Sequence, residues 1–113
     1  MNKKIRNVVK TIDNRSFLWR NDREYNNRAV LYALKYCHDL LKVQGYLFLN
    51  QVYRKLGLPL TKEEQTYGWV YDKMYENYIL WIVWHENDKE VDVHITFEPL
   101  ENILDALPSE EEL

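Results

Sequence analysis

Residues 78–97 read YILWIVWHENDKEVDVHITF, and this stretch decides the fold. Apolar and polar side chains alternate along residues 91–97, which is the period of a strand with one buried face. Residues 78–84 are apolar throughout, so a partner strand there can bury both of its faces. The polar residues 86–90 between them favour a turn, and the three segments together predict an antiparallel β-hairpin.

A turn centred on Asp88 and Lys89 sets the register of this predicted hairpin. It predicts three cross-strand pairs, which are Trp84–Val93, Ile82–Ile95 and Leu80–Phe97. We expect a helix to cover that face. The opposite face mixes aromatic and polar side chains, as protein interfaces do, and it carries Ile79, Trp81, Val83, His85, Asp92, His94 and Thr96. A slip of one residue would exchange the two faces of one strand.

The length and composition predict one soluble, cytoplasmic protein. A chain of 113 residues fits a single domain with one hydrophobic core. Its one cysteine, Cys37, excludes an internal disulfide and the multi-cysteine zinc patterns. No apolar run approaches the ~20 residues that a membrane helix needs, and no apolar region follows the basic start of the chain as it does in a signal peptide.

Charge is distributed unevenly along the chain. Residues 1–20 hold six basic residues and one acidic residue, whereas residues 63–113 hold fourteen acidic residues and two lysines, a net charge of −12. Such a gradient can steer encounters with a charged partner at low salt. It can equally reflect two solvated ends that attract each other weakly.

Two segments before the hairpin have helical periodicity. Residues 1–20 are predicted to be a basic N-terminal helix or arm, whose apolar stripe is Ile5, Val8, Val9 and Ile12. Residues 22–44 are predicted to be a long helix with an N-cap at Asn21, a capping-box partner at Glu24 and a terminating Gly45. Its buried stripe consists of Val30, Leu34, Cys37 and Leu41, and this helix is the expected cover for the hairpin.

The remaining segments are predicted to be short. Asn50 can cap one short helix, Thr61 a second, and Pro99 can begin a third in the spacing of Leu100, Ile103, Leu104 and Leu107. The predicted fold is therefore α+β, with a small three-stranded antiparallel sheet (about 68–72, 78–86 and 91–97) packed against the long helix and flanked by short helices. In domain terms, residues 1–20 form the N-terminal helix or arm, 21–108 a single α+β domain, and 109–113 an acidic tail.

No segment has the pattern of a catalytic site. Cys37 and His38 are adjacent in sequence on a helix, and such neighbours do not face each other, so a buried thiol is the expected role of Cys37. His85, Asp92 and His94 could share a strand face as metal ligands, but the two histidines are not directly opposed. The three glycines form no phosphate-binding loop. We therefore expect no enzyme activity, no bound metal and no cofactor.

The charges also bear on nucleic-acid binding. A basic helix with neighbouring aromatic residues could contact a nucleic acid, but the acidic body would repel its phosphates, so direct binding is not expected. An acidic surface can instead occupy the nucleic-acid channel of another protein, and the charge of residues 63–113 fits that arrangement better.

Several strings in residues 19–72 match a known pattern: WRNDREYN at 19–26, the helix ending at Asp39-Leu40-Leu41, GYLFLNQVY at 45–53, LGLP at 56–59, Thr61-Lys62 with Gln65, and GWVYD at 68–72. Together they resemble an uncharacterised family of phages and prophages of Gram-positive bacteria, known only as a domain of unknown function. The resemblance implies a mobile-element protein that acts inside a bacterial cell or in a virion, and it assigns no catalytic residue. Longer members carry an apolar N-terminal segment that this chain lacks, which argues against a membrane role.

The sequence thus favours a non-enzymatic module that binds a protein of the host or the phage. One concrete form is an inhibitor of a host-defence protein that binds nucleic acid, such as a CRISPR nuclease. The alternative is a structural or assembly accessory of the virion, and the oligomeric state stays open. The candidate interface is the open sheet face with its neighbouring strand, which comprises Trp81, His85, Asp92, His94, Trp69 and Tyr71. If the first helix packs on that face, the face is closed.

Overall fold

Two helices and five strands lie within residues 6–71 and 81–104, which are the residues that the computed structural model describes. In chain order they are β1 (Arg6–Ile12), α1 (Arg23–Gln44), β2 (Tyr46–Phe48), α2 (Leu49–Leu56), β3 (Tyr67–Val70), β4 (Trp81–Trp84) and β5 (Val93–Asn102). The predicted α+β class is confirmed, and so is the long helix predicted at residues 22–44, which corresponds to α1.

The strands form an antiparallel sheet in the order β1-β5-β3-β2, and β4 lies beside β5 off this path. Because β5 is ten residues long, its first half pairs with β1 on one edge and with β4 on the other. Further along, Glu101 and Asn102 of β5 pair with β3. The described residues thus hold five strands instead of the predicted three, since β1 and β2 were not predicted as strands.

The hairpin register differs by one residue from the predicted register. The observed pairs are Trp81–Phe97, Ile82–Thr96, Val83–Ile95 and Trp84–His94. The predicted pairing of Trp84 with Val93 is therefore wrong. The residues of the predicted face that included both Trp81 and His94 are divided between the two sides of the sheet. β4 is apolar on both faces, so hydrophobic pattern alone does not select a register.

Specific contacts select the observed register. On the inner face, the ring of Trp81 meets that of Trp69 edge-on, with centroids 6.2 Å apart. On the outer face, Trp84 stacks on His94 and its Nε1–H donates to Thr96 Oγ1 at 3.0 Å. The predicted register would break these outer contacts, because it turns Trp84 to the side opposite His94.

Residues 6–12 form a strand where a helix was predicted. The spacing of Val8, Val9 and Ile12 fits a helical stripe, yet in β1 Val8 and Ile12 point inward and Val9 outward. Lys10 also lies on the inner side, where its Nζ is 5.2 Å from the centroid of the Tyr53 ring. Four of the seven residues are β-branched, and pairing with the edge of β5 outweighs the helical pattern.

Two other predicted helices are also absent from the described residues. The chain from Pro99 continues as β5 to Asn102, and beyond it the N–H of Ile103 donates to the carbonyl of Thr66. Residues 62–66 form turns and not a helix. Leu107 and the tail at 109–113 lie outside the described residues, as do 72–80, and the division into residues 1–20, 21–108 and 109–113 stays a prediction.

The helices and the inner sheet face share one hydrophobic core. α1 buries the predicted stripe, which is Val30, Leu34, Cys37 and Leu41. Its N-cap is Asp22, one residue later than predicted, because the Asp22 carboxylate accepts the N–H of Tyr25. Gly45 ends the helix in the left-handed region, with φ of 84°. α2 is the short helix predicted near Asn50, but its N-cap is Phe48, two residues earlier than the predicted cap.

Gly68 of β3 pairs with Phe48 of β2, and the backbones of the two strands leave no room there for a side chain. A Cβ there would collide with the backbone carbonyl of Leu47, whereas a Cβ at Gly45 would have nothing within 4 Å. We expect Gly68→Ala to lower the free energy of unfolding by about 3 kcal/mol, because backbone atoms cannot yield locally. Gly45→Ala is the matched control and should cost about 1 kcal/mol from its φ alone. Urea unfolding measures both, and equal losses would contradict this account of the β2–β3 contact.

Candidate functional site

Three of the predicted interface residues belong to the hydrophobic core or pack against it. Trp69 is 5% exposed, and its ring packs edge-on against Trp81 and at a tilt against Phe97. Trp81 is half-buried and also meets His38 of α1 edge-on. Tyr71, at the end of β3, is half-buried and its N–H donates to the carbonyl of Gly45. These side chains stabilise the layer between helix and sheet and are not an open face.

His85 and Asp92 connect the loop between β4 and β5 to the N-terminal part of the chain. His85 Nδ1 donates to the carbonyl of Asp92 at 2.7 Å, and its Nε2 lies 2.7 Å from Asn27 Oδ1 on α1. The Asp92 carboxylate accepts Trp19 Nε1–H at 2.7 Å. The polar atoms of His85 and Asp92 are thus hydrogen-bonded elsewhere. Within the described residues the three metal ligands considered from sequence, His85, Asp92 and His94, do not converge on one point.

His94 lies on the outer face with different neighbours. Trp84 stacks on its ring, with centroids 4.5 Å apart, and Nδ1 lies 2.8 Å from Thr11 Oγ1. Nε2 lies 2.7 Å from Glu90 Oε1. Glu86 reaches the same place, so that the potential ligand atoms of Glu86, Glu90 and His94 all lie within 4.8 Å of one another.

Sequence reasoning missed the two glutamates because they were assigned only to the turn. The spacing of Glu86, Glu90 and His94 at intervals of four resembles a helical face, and only the loop geometry brings them together. The backbone N–H of Glu86 donates to Glu90 Oε1 at 3.1 Å and is the main cause of a lowered pKa of the Glu90 carboxyl. The contact with His94 lowers that pKa further.

A second candidate surface is an open groove of about 790 Å³ between the loop at Phe17 and Leu18, α1 and α2. It is lined by Phe17, Leu18, Ala29, Tyr32, Ala33, Tyr36, Leu40, Gln51, Arg54 and Lys55, and we call it the α1–α2 groove. Phe17 and Tyr32 are each 75% exposed. The charged side chains of the lining are both basic, and Lys55 Nζ lies 4.1 Å from the centroid of the Tyr36 ring.

The loop that presents Phe17 is anchored on both sides of that residue. Ser16 Oγ–H donates to the carbonyl of Leu56 at 2.7 Å, and the N–H of Leu18 donates to Ser16 Oγ. Gly57 lies directly beneath, since a Cβ there would be 2.9 Å from the Phe17 ring. Leu18 packs against the core while Phe17 does not. The backbone is therefore fixed while a large apolar ring faces solvent.

Cys37 has the buried position that its place in the stripe predicted. It is 1% exposed in α1, and burial raises the pKa of its thiol to about 11. His38 turns instead toward Trp81. The adjacent cysteine and histidine therefore form no nucleophile–base pair.

We expect Cys37 to react slowly in the folded protein. At pH 8 a pKa of about 11 leaves about one thiol in a thousand ionised, so labelling by a disulfide reagent should be about a hundredfold slower than in urea.

Because the folded pKa is raised from 9.0, the thiol stabilises the fold below pH 9, and this contribution is lost as pH rises toward about 11. Urea unfolding from pH 8 to pH 11 should therefore show a shallower loss of stability for Cys37→Ala than for the unmodified protein. The difference should develop over about 2 pH units, between the unfolded and the folded pKa of the thiol. Fast native labelling would contradict the buried position.

No helix in the described parts of the chain, 6–71 and 81–104, combines the length and apolar character that crossing a membrane requires.

Comparison with known proteins gives one match. A family model described as a family of unknown function, DUF6353, matches residues 2–107. This range includes every described helix and strand, so the groove and the loop of Glu86 and Glu90 both belong to the matched region. No curated protein and no solved structure matches the chain.

Proposed function

The chain belongs to the DUF6353 family, and from this premise we propose that it is a non-enzymatic protein-binding module whose contact surface is the α1–α2 groove. The observation that carries the proposal is Phe17, a phenylalanine that is 75% exposed on a loop whose backbone is anchored by the hydrogen bonds of Ser16. Exposure of such a ring to water is unfavourable in the unbound protein. Burial of the ring by a partner removes that unfavourable contribution and favours binding.

The anchored loop adds to the affinity of such a contact. Ordering a flexible side chain or loop at an interface costs roughly 0.5–1.5 kcal/mol for each immobilised side chain. Phe17 avoids part of that cost because its backbone is already fixed by the contacts of Ser16 with Leu56 and Leu18. Aromatic side chains in such positions commonly contribute a large part of the binding free energy.

The lining of the groove defines the chemistry of the partner. The lining includes alanine, leucine and tyrosine side chains, and its charged groups are Arg54 and Lys55. Two helices with an apolar floor between them accept an amphipathic segment, and the basic edge favours carboxylates beside its apolar side chains. We therefore propose a protein partner with an acidic amphipathic segment.

A narrower proposal concerns the origin and target of the module. Following the resemblance to phage and prophage proteins, we place it in the cytoplasm of a bacterial host, where its target is a host-defence protein that binds nucleic acid. The exposed carboxylates of Glu63, Glu86 and Asp88, within the acidic half, support contact with a basic nucleic-acid surface. The alternative, an accessory of the virion, requires self-association, and light scattering that shows a monomer at high concentration would exclude it.

Truncation of Phe17 tests the groove. The probes are two synthetic amphipathic helical peptides with the same apolar face, one flanked by glutamates and the other by lysines. We expect the acidic peptide to bind at least tenfold more tightly than the basic peptide, and Phe17→Ala to weaken it about tenfold, or about 1.4 kcal/mol. Fluorescence anisotropy measures the affinities, and amide chemical shifts locate the peptide on the protein.

Val43→Ala is the matched control, because Val43 lies on α1, is 83% exposed and does not line the groove. It should bind the acidic peptide as the unmodified protein does. The same three proteins, used as bait in a bacterial lysate at about 150 mM salt, should retain one protein except when Phe17 is truncated. Equal binding by Phe17→Ala and the unmodified protein would disprove this contact surface.

A further inference from the structure

The outer face of the sheet brings one imidazole and two carboxylates to a single point. The imidazole is His94 on β5, and the carboxylates are Glu86 and Glu90 in the loop between β4 and β5. Their potential ligand atoms lie within 4.8 Å of one another. Glu86 is exposed and Glu90 is half-buried, whereas His94 is only 9% exposed.

His94 is held so that its Nε2 faces the two glutamates. Trp84 stacks on one side of the ring, with 27° between the planes, and Nδ1 lies 2.8 Å from Thr11 Oγ1. Within the described residues no hydrogen bond satisfies Nε2, and its ion-pair neighbour Glu90 Oε1 lies 2.7 Å away. A buried polar atom without a hydrogen bond destabilises the folded protein unless another group satisfies it.

The neighbours of Nε2 determine what can satisfy it. When Thr11 Oγ1 accepts the Nδ1–H, the Nε2 lone pair points toward a carboxylate, and two electron-rich atoms at this distance repel each other unless a proton or a metal ion lies between or beside them. Metal-ligating histidines commonly donate their other ring N–H to a fixed oxygen, and Thr11 supplies that oxygen. The glutamates supply the remaining negative charge.

We propose that Glu86, Glu90 and His94 bind a divalent first-row transition-metal ion, for which Zn²⁺ is the representative. One nitrogen and two carboxylate oxygens suit Zn²⁺, whereas Mg²⁺ and Ca²⁺ prefer all-oxygen sites. Zinc–ligand bonds of roughly 2.0–2.2 Å in tetrahedral geometry require the more distant ligand atoms to come closer and the Nε2 and Oε1 atoms, 2.7 Å apart, to separate slightly. Glu86 can make this movement because its side chain is exposed.

The ion would join the β4–β5 loop to the centre of the sheet. Glu86 and Glu90 are loop residues, and His94 pairs with both Trp84 of β4 and Thr11 of β1. An ion that binds only the folded chain stabilises it in proportion to the logarithm of its concentration over the dissociation constant. The site therefore strengthens the hairpin, and solvent completes the coordination on the exposed side of Glu86.

Titration of the full chain with ZnCl₂ in a buffer without chelators tests the site. Calorimetry should show one ion bound per chain, and Glu86→Gln and Glu90→Gln should each weaken binding at least tenfold. Asp88→Asn is the matched control, since it removes a carboxylate from the same loop but lies outside the cluster, and its affinity should be unchanged. MgCl₂ at the same concentrations should give no binding.

Two further measurements make the assignment specific to these residues. The ¹⁵N resonance of His94 Nε2 should move on addition of zinc while those of His38 and His85 stay. Zinc should also raise the melting temperature of the unmodified protein and of Asp88→Asn, but not that of Glu90→Gln. If Glu90→Gln does not fold, Glu86→Gln decides the question, because the Glu86 side chain is exposed.

The proposal is overturned if no saturable binding occurs up to about 1 mM zinc. It is also overturned if Glu86→Gln titrates like the unmodified protein, or if His38 or His85 responds in place of His94. None of these results bears on the α1–α2 groove, whose test uses Phe17.

Discussion

Hydrogen bonding of β5 along both edges is the interaction on which the rest of the structure depends. Its first half lies between β1 and β4, and its end pairs with β3, so that one strand joins the two ends of the chain to the middle. The inward side chains of this strand, Val93, Ile95 and Phe97, are fully buried. A central strand of this kind leaves α1 and α2 to cover one side of the sheet, and it determines which polar residues face the other side.

The division of the sheet into an inner and an outer face explains why aromatic residues predicted at an interface are buried and why polar residues of the same predicted face bond to one another. Trp69 and Trp81, which suggest an interface by composition, lie under the helices. The polar residues of the loop and outer face bond to one another, as His85 does with Asn27 and Asp92. A largely exposed aromatic ring is found instead at Phe17, in a loop that packs beside α2. The surface proposed to bind a protein and the polar cluster thus lie on separate parts of one small fold.

The sequence predicts α1 well, because one long segment carries a cap, a uniform stripe and a terminating glycine that agree. It fails for β1 because Val8, Val9 and Ile12 satisfy both helical and strand spacing, and only the distant edge of β5 decides between them. The register of β4 was equally undetermined, since both of its faces are apolar. The sequence did not predict that Trp81 and His94 lie on opposite sides of the sheet, and Glu86, Glu90 and Phe17 gave no local signal.

The pairing of β1 with β5 also has a consequence for biosynthesis. Thr11 and His94, which contact each other in the sheet, are separated by 83 positions in the chain. Contacts between distant residues slow folding, because the intervening chain must first be ordered. At roughly 5–20 residues per second on the ribosome, β1 emerges several seconds before its partner exists. During that interval its β-branched side chains have no sheet to join, and Lys10 within the strand gives a charge that discourages pairing with other nascent chains.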